Sequence, residues 1–469
     1  MENKITLEEL ESLIDNKKVK EIRELFESTD IIDIAEVCDD IEDISKLLFI
    51  FKTVKSEYTA ELFTYLDENQ QQNLINLFSD KQLRELINNS YTDDIVDFLE
   101  DMPANLVKRV LSASDKDARN DINKLLNYKE DTAGSIMTTE YVELINTLDV
   151  KDALARIKKI GKDAETISTT FVIDNKRNLV GVLYLDDLVL ADDDEKIADI
   201  MNEDFKSANV YQDQEDVAQI FKRYDITVLP VLNNENRLVG VITVDDIIDV
   251  IEEETNEDIA IQAGMQPLED EYLKTGVFSM AKKRVTWLLL LMISATFTSI
   301  IISKFEHALQ AVAVLSAFIP MFMDTGGNSG GQTTSLITRG LATREVTTHD
   351  YGKVIWKEFR VALVTATLVS ICNFLWILFE LSVGLVKNTP VDGMPSVPNW
   401  QVAALVATTL FITIVIAKLL GASLPMLAQK IKLDPALMSG PIVTTIVDAT
   451  SLVVYFLLCT YVFFPALFS

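Results

Sequence analysis

Histidine and cysteine are nearly missing from this 469-residue chain: His307 and His349 are its two histidines, and Cys38, Cys372 and Cys459 its three cysteines. Cysteines so far apart make neither a disulfide framework nor a Cys-based zinc site, and two histidines cannot build a His-rich transition-metal centre. Any metal handled here is expected to be a hard cation held by oxygen. Glycine is absent before Gly134, and Pro103 is the single proline up to Tyr128. The N-terminus, MENKITLEELESLIDN, lacks the basic and apolar regions of a secretory signal, so the first half is expected to stay in the cytoplasm. Positive charge is scarce as well, with 42 Lys and Arg against 72 Asp and Glu, a formal net charge of −30. That shortage lies wholly upstream. From Val285 onward there are 10 basic and 9 acidic residues, leaving 32 basic and 63 acidic before it, a net of −31. Such a half repels nucleic acid and anionic lipid and attracts cations.

The first stretch, to about Tyr128, repeats apolar residues at spacings of three and four, as in Leu62, Phe63, Leu66 and Leu74, Leu77, Phe78. Thr92-Asp-Asp-Ile-Val-Asp-Phe-Leu-Glu has a polar start and a helical apolar stripe. Short helices packed in hairpins, a small superhelical solenoid, are expected. An internal repeat follows: Phe171-Val-Ile-Asp-Asn-Lys-Arg-Asn-Leu-Val-Gly-Val-Leu-Tyr-Leu-Asp-Asp-Leu returns from Pro230, with Gly181 and Gly240 corresponding at a period of 59. Each copy reads strand, polar turn, strand, then a helix opening at Asp-Asp. Two such copies, over about Ile136 to Glu254, resemble a tandem pair of cystathionine-beta-synthase (CBS) domains, an α/β module that often binds adenine nucleotides and regulates an attached protein.

After Val285 five hydrophobic regions follow: 285–303, 308–323, 361–386, 401–417 and 441–468. Several approach or exceed the roughly 20 residues that cross a bilayer. The second is short and runs into the polar, small-residue stretch Thr325 to Thr338, which must be shielded from lipid. Lys282, Lys283, Arg284, Arg339, Arg344, Lys353, Lys357, Arg360, Lys430 and Lys432 fall on one side, and Lys304 and Lys387 flank the other ends. The bias toward positive charge inside puts the N-terminus in the cytoplasm and, with five crossings, the C-terminus outside.

Asp448 lies within Pro441-Ile-Val-Thr-Thr-Ile-Val-Asp-Ala-Thr-Ser. A carboxylate at mid-span costs at least about 2.5–3.5 kcal/mol, so an ion pathway is favoured over a structural pair, for which Lys418 is the available base. In Pro320-Met-Phe-Met-Asp-Thr-Gly-Gly-Asn-Ser-Gly-Gly-Gln, proline and four glycines are expected to break the helical ladder and free carbonyls for a cation. Packing through small residues is the blander account. Asp324, Asn328 and Gln332, at four-residue spacing, put polar groups on one face.

The order of acidic helical domain, CBS pair, connecting helix and five membrane helices resembles the MgtE family of magnesium transporters. So do the Pro320-to-Gln332 segment, Asp434-Pro-Ala-Leu and Asp448. The domains are expected at 1–132, 133–254, 255–281 and 282–469. The resemblance implies a homodimer in the plasma membrane that takes up Mg2+, with no enzymatic activity. It implies a pore along the dimer axis in which Asp448 holds a hydrated ion, lined by Pro320, Gly326, Gly327 and Asn328. It also implies regulatory Mg2+ at Glu61, Asp93, Asp97, Glu215, Asp225, Asp246, Asp249, Glu254, Glu257, Asp258 and Asp434. From the residues themselves, Asp93 and Asp97 are a like-charge pair four apart on a helix, which something must neutralise. Thr243 and Asp246 match the hydroxyl-and-carboxylate pattern that holds ribose in CBS domains. Tyr184 replaces the hydroxyl in the first repeat, so one ATP-type site per chain is implied. Rival readings are a carrier of Co2+ or Ni2+, an intramembrane aspartyl protease using Asp324 and Asp448, and a tethered nucleotide sensor without a pore.

Overall fold

The structure, a computed structural model, describes residues 5–100, 102–268, 272–273, 275–389, 397–438 and 440–465. It divides into two compact units, Met1–Glu252 and Glu253–Ser469.

The first unit opens with short helices: α1 (Leu7–Asp15), α2 (Val19–Ser28), α3 (Ile31–Asp39), α4 (Ile44–Thr53), α5 (Ser56–Tyr65), α6 (Glu68–Leu77), α7 (Asp80–Ile87), α8 (Thr92–Glu100), α9 (Ala104–Ala113) and α10 (Lys116–Leu125). Helices this short are marginal alone in water, so packing must hold them. Side chains of Thr6, Asp43, Asp67, Ser79 and Asp115 cap their first turns, which satisfies amides the helix cannot. Helices two apart pack together, α3 on α5, α4 on α6, α5 on α7 and α7 on α9. That is the expected superhelical arrangement. Phe51, Phe63, Phe78 and Phe98 meet edge-to-face or tilted through its core.

Two β-α-β-β-α halves follow. In the first, β1 (Glu143–Ile145), α11 (Val150–Ile160), β2 (Thr169–Ile173), β3 (Leu179–Tyr184), α12 (Leu185–Leu190) and α13 (Ile197–Ile200) succeed one another. β1 runs parallel and β3 antiparallel to β2. In the second, β4 (Ala208–Asn209), α14 (Gln214–Tyr224), β5 (Val228–Leu232), β6 (Leu238–Thr243) and α15 (Val244–Gln262) repeat that pairing. The repeated glycines mark close approaches. A Cβ on Gly181 would lie 2.7 Å from Met201 Sδ, and one on Gly240 2.5 Å from Met137 Sδ. α15 runs without a break through residue 254, so the last strand of the second half leads directly into residues 255–262 in one helix. Of the segment expected to continue it, residues 269–271 and 274 lie outside the described residues.

The second unit holds α16 (Val277–Lys304), α17 (Glu306–Ala311), α18 (Ile319–Ala342), α19 (Tyr351–Val383), α20 (Asn399–Lys430) and α21 (Pro441–Leu457), which ends in a π-helical turn, Leu458–Phe463. Among the described residues four spans are long and apolar enough to cross a membrane: Val277–Lys304, Thr348–Val383, Asn399–Lys430 and Pro435–Phe463. The second expected apolar region, 308–323, is not one helix. It divides into the end of α17, a 3₁₀ turn at Ala313–Phe318 and the start of α18. α18 carries too many polar and small residues to count as an apolar span, yet its 24 residues reach roughly 36 Å at 1.5 Å per residue. α16 has no buried residue although it is apolar from Val285 to Ser303, which is how a helix facing lipid or another chain looks.

Candidate cation sites

α18 is the centre of the second unit, packed on both α20 and α21. Its glycines allow this. A Cβ on Gly326 would come within 2.6 Å of Thr413 Cγ2, on Gly327 within 2.8 Å of Thr444 Cγ2, and on Gly330 within 2.8 Å of Val443 Cγ1. From α20, Gly421 approaches the Gly330 carbonyl just as closely. The helix runs unbroken from Ile319 to Ala342, which corrects the expectation of an interrupted ladder. Pro320 sits in the first turn, where its missing N–H would have had no intrahelical partner. The glycines serve close packing instead, and Gly326 and Gly327 are buried against the neighbouring helices. The polar groups take the other face: Asp324, Asn328 and Gln332 are exposed, and Asn328 Nδ2 donates to Asp324 Oδ1 at 3.2 Å.

Asp448 is half-buried on α21, and its Oδ1 is fully buried with no hydrogen-bond partner. Lys418, the base available to it, is 7% exposed and donates to Thr333 Oγ1 at 3.4 Å. Thr333 in turn donates to Glu358 Oε2 at 3.2 Å. The buried ammonium therefore belongs to a network joining α20, α18 and α19, and Asp448 keeps an unsatisfied oxygen. Buried polar atoms are seldom left so, and an orphan at this depth points to a ligand.

In the first unit, Asp93 and Asp94 on α8, Glu140 before β1, Glu165 after α11 and Asp246 on α15 act on one another electrostatically. Burial, then Asp246, Asp94, Glu165 and Glu140, holds the Asp93 carboxyl well above the usual carboxylate range. Burial and then Asp246 push Asp94 up to about 6, and the same two causes push Glu165 up to about 8. Asp93 Oδ1 and Glu165 Oε2 are buried without partners. Glu140 is otherwise engaged, accepting from the Thr92 hydroxyl, from Thr138 Oγ1 at 2.8 Å and from the Thr139 amide at 3.1 Å. Glu61 and Asp249 approach the same region, since both act with Asp94 and Asp245 on the Tyr65 hydroxyl. Asp97 acts on Asp94 from the next turn of α8. Glu215 and Asp225 occupy opposite ends of α14, Asp225 as its left-handed C-cap.

Asp246 also bonds within its own repeat: its Oδ2 accepts from Thr243 Oγ1 at 2.5 Å and from the Thr243 amide at 3.2 Å. In the first repeat Tyr184 caps α12 with no side-chain bond. In the second unit, Asp258 is pushed up to about 6 by burial, then Asp434 and Glu257. Burial raises Asp434 too, against the Ala436 amide that its carboxylate accepts. Glu254 lies one turn upstream on the same helix. Among the described residues no group of three or more His, Cys, Asp or Glu side chains is arranged to hold a metal ion.

Asp94, Glu140 and Glu165 were not singled out by sequence. Asp94 adjoins Asp93 and shares its acidic signal. Glu140 and Glu165 sit in turns without periodicity, and a sheet crossover brings them to α8, so no local pattern marked them.

An unpartnered carboxylate among membrane-length helices, following a unit rich in mutually repelling acids, defines a membrane protein that handles cations. Family models match in the same order: an MgtE intracellular N domain over residues 29–131, CBS domains over 133–194 and 197–253, and a divalent cation transporter, MgtE, over 319–458. The magnesium transporter MgtE of Thermus thermophilus is 37% identical over 367 residues, covering 77% of this chain and 78% of that protein. Its namesake in Bacillus subtilis is 32% identical over 430 residues, 88% of this chain and 90% of that one. A crystal structure of the soluble part of a magnesium transporter, 33% identical, superposes with a TM-score of 0.50 over 53% of this chain and 97% of that one. The chain belongs to the MgtE family of divalent cation transporters.

Proposed function

We propose that the protein takes up Mg2+ across the cell membrane and closes when intracellular Mg2+ binds its acidic soluble region. The carrying observation is Asp448, whose buried Oδ1 has no partner while Lys418 bonds to Thr333. Mg2+ is small, holds its water shell tightly and is usually bound by one or two carboxylates. Few acids at membrane depth and the scarcity of His and Cys suit that ion better than Co2+ or Ni2+. In this reading α18 is the second of five crossings, the N-terminus is cytoplasmic and the C-terminus outside. Two chains pair so that α18 and α21 line a pore, with Pro320 and Asn328 along it, while Gly326 and Gly327, expected there from sequence, pack against the neighbouring helices of their own chain.

Regulatory Mg2+ would bind at two acidic groups. One gathers Asp93, Asp97, Asp246, Asp249 and Glu61; the other gathers Glu254, Glu257, Asp258 and Asp434; Glu215 and Asp225, at opposite ends of α14, would add ligands of their own. Raised carboxyls with unpartnered oxygens, as at Asp93, are the state such groups adopt without a cation. Ions that bind the closed arrangement more tightly than the open one favour closure, and their loss lets the acids repel. Thr243 and Asp246 are proposed to hold the ribose of one ATP-type nucleotide per chain. The domains divide at 1–132, 133–254, 255–281 and 282–469.

Mg2+ uptake by proteoliposomes carrying the full-length protein tests this reading. Wild type is expected to conduct at low Mg2+ on the cytoplasmic side and to fall silent as that concentration rises. Asp448→Ala is expected to be silent throughout. Undiminished flux through that variant would sink the pore assignment.

A further inference from the structure

α18 and α21 pack antiparallel in a fixed register. Gly326 lies against Val447, Gly327 against Thr444 and Gly330 against Val443. Each step along α18 is matched by a step back along α21, and this sets Asp324 level with Asp448. The Asp324 carboxylate is oriented from one turn away, because Asn328 Nδ2 donates to its Oδ1 at 3.2 Å. Asp324 and Asn328 share the exposed face of α18, and Asp448 presents a buried oxygen with no partner. Polar groups at this depth do not face hydrocarbon, so this face must border water or another chain. The buried base of the bundle does not neutralise the pair, since Lys418 donates to Thr333.

We propose that Asp324 is a second cation-binding carboxylate of the transport path, held in place by Asn328, which with Asp448 makes the path prefer divalent to monovalent ions. The proposal rests on the transport reading above. Two carboxylates at one level repel each other, and a divalent ion between them relieves that repulsion through its water shell more fully than a monovalent ion does. About the axis of a homodimer the set becomes four carboxylates. The chemistry is outer-sphere binding: oxygen ligands to bound water, with no bond made or broken in the protein.

Flux through the full-length protein in liposomes tests it, with Mg2+ and Na+ entry measured in parallel. Asp324→Asn keeps the shape and the Asn328 hydrogen bond but loses the charge. It is expected to raise the Mg2+ concentration for half-maximal entry about tenfold or more, and to lower the Mg2+ to Na+ ratio by a similar factor. Asp324→Glu should recover most of both, and Asn328→Ala should fall between. An Asp324→Asn protein with the wild-type half-saturation and ratio, beside a silent Asp448→Ala, overturns the role of Asp324 and leaves the transport reading standing. Wild-type flux from Asp448→Ala as well brings down the transport reading itself. Should Asp324→Asn not yield monodisperse protein, Asp324→Ala and Asn328→Ala decide by the same ratio, and a wild-type value in both overturns the proposal.

Discussion

Glu165 shows how burial converts an ordinary side chain into a sensitive one. Burial, then Asp246 and Asp94, lifts its carboxyl from the usual 4.5 to about 8. The folded unit then holds the proton more tightly than the unfolded chain does. The resulting stability is full below pH 4.5 and is lost as pH climbs to about 8. Cation-free protein in chelator is accordingly expected to melt at a lower temperature at pH 8 than at pH 6, with Glu165→Gln flattening that slope. A variant that retains the full slope would move the effect to another group. Mg2+ should also shrink the slope, because an ion replaces the proton as the neutralising charge. Thr243 offers a second check. Its hydroxyl and amide both donate to Asp246, so Thr243→Ala should weaken calorimetric ATP binding at least about tenfold, as expected when a buried partner is left unpaired. Undiminished binding would place the nucleotide elsewhere. At this scale the acids singled out by sequence include Asp93, Asp246, Asp258 and Asp434, whose carboxyls burial raises, and Asp448, which keeps an unpartnered oxygen. The sequence could not indicate Glu165, whose neighbours arrive from α8 and α15, far away along the chain.

Among the elements, α18 departs most from its sequence pattern. Pro320 and the paired glycines read as a broken helix, and the helix is whole. The difference is one of packing: glycine costs about 1 kcal/mol in an isolated helix, and close contacts with α20 and α21 offset it here. Gly330→Val is therefore expected to destabilise the bundle by about 1–3 kcal/mol through overpacking against Val443, seen as an earlier thermal transition in detergent. A transition at the wild-type temperature would mean that α18 has slack. The repeat elements, by contrast, were legible in outline. Alternating apolar residues around Gly181 and Gly240 gave both hairpins, because strand periodicity and turn residues are local signals. That α15 runs unbroken from Val244 to Gln262 was not legible, because no composition break marks where that helix starts or stops.

For the whole molecule the governing quantity is charge. A first half of net charge −31 destabilises its own compact state by self-repulsion, and cations that bind the compact state reverse this by mass action. Limited proteolysis of the full-length protein should slow in millimolar Mg2+ relative to chelator, while NaCl at equal ionic strength protects much less. Equal protection by both salts would reduce the effect to screening. The sequence by itself determined the order of domains, the membrane character after Val285 and the presence of a lone acid, Asp448, within an apolar span. These are one-dimensional properties, set by composition and by local periodicity. Only the tertiary structure decided that Lys418 bonds to Thr333, that Asp324 stands level with Asp448, and that Glu140 and Glu165 join Asp93. Each depends on which helix or strand packs against which, and contacts between residues far apart in sequence leave no trace in local pattern.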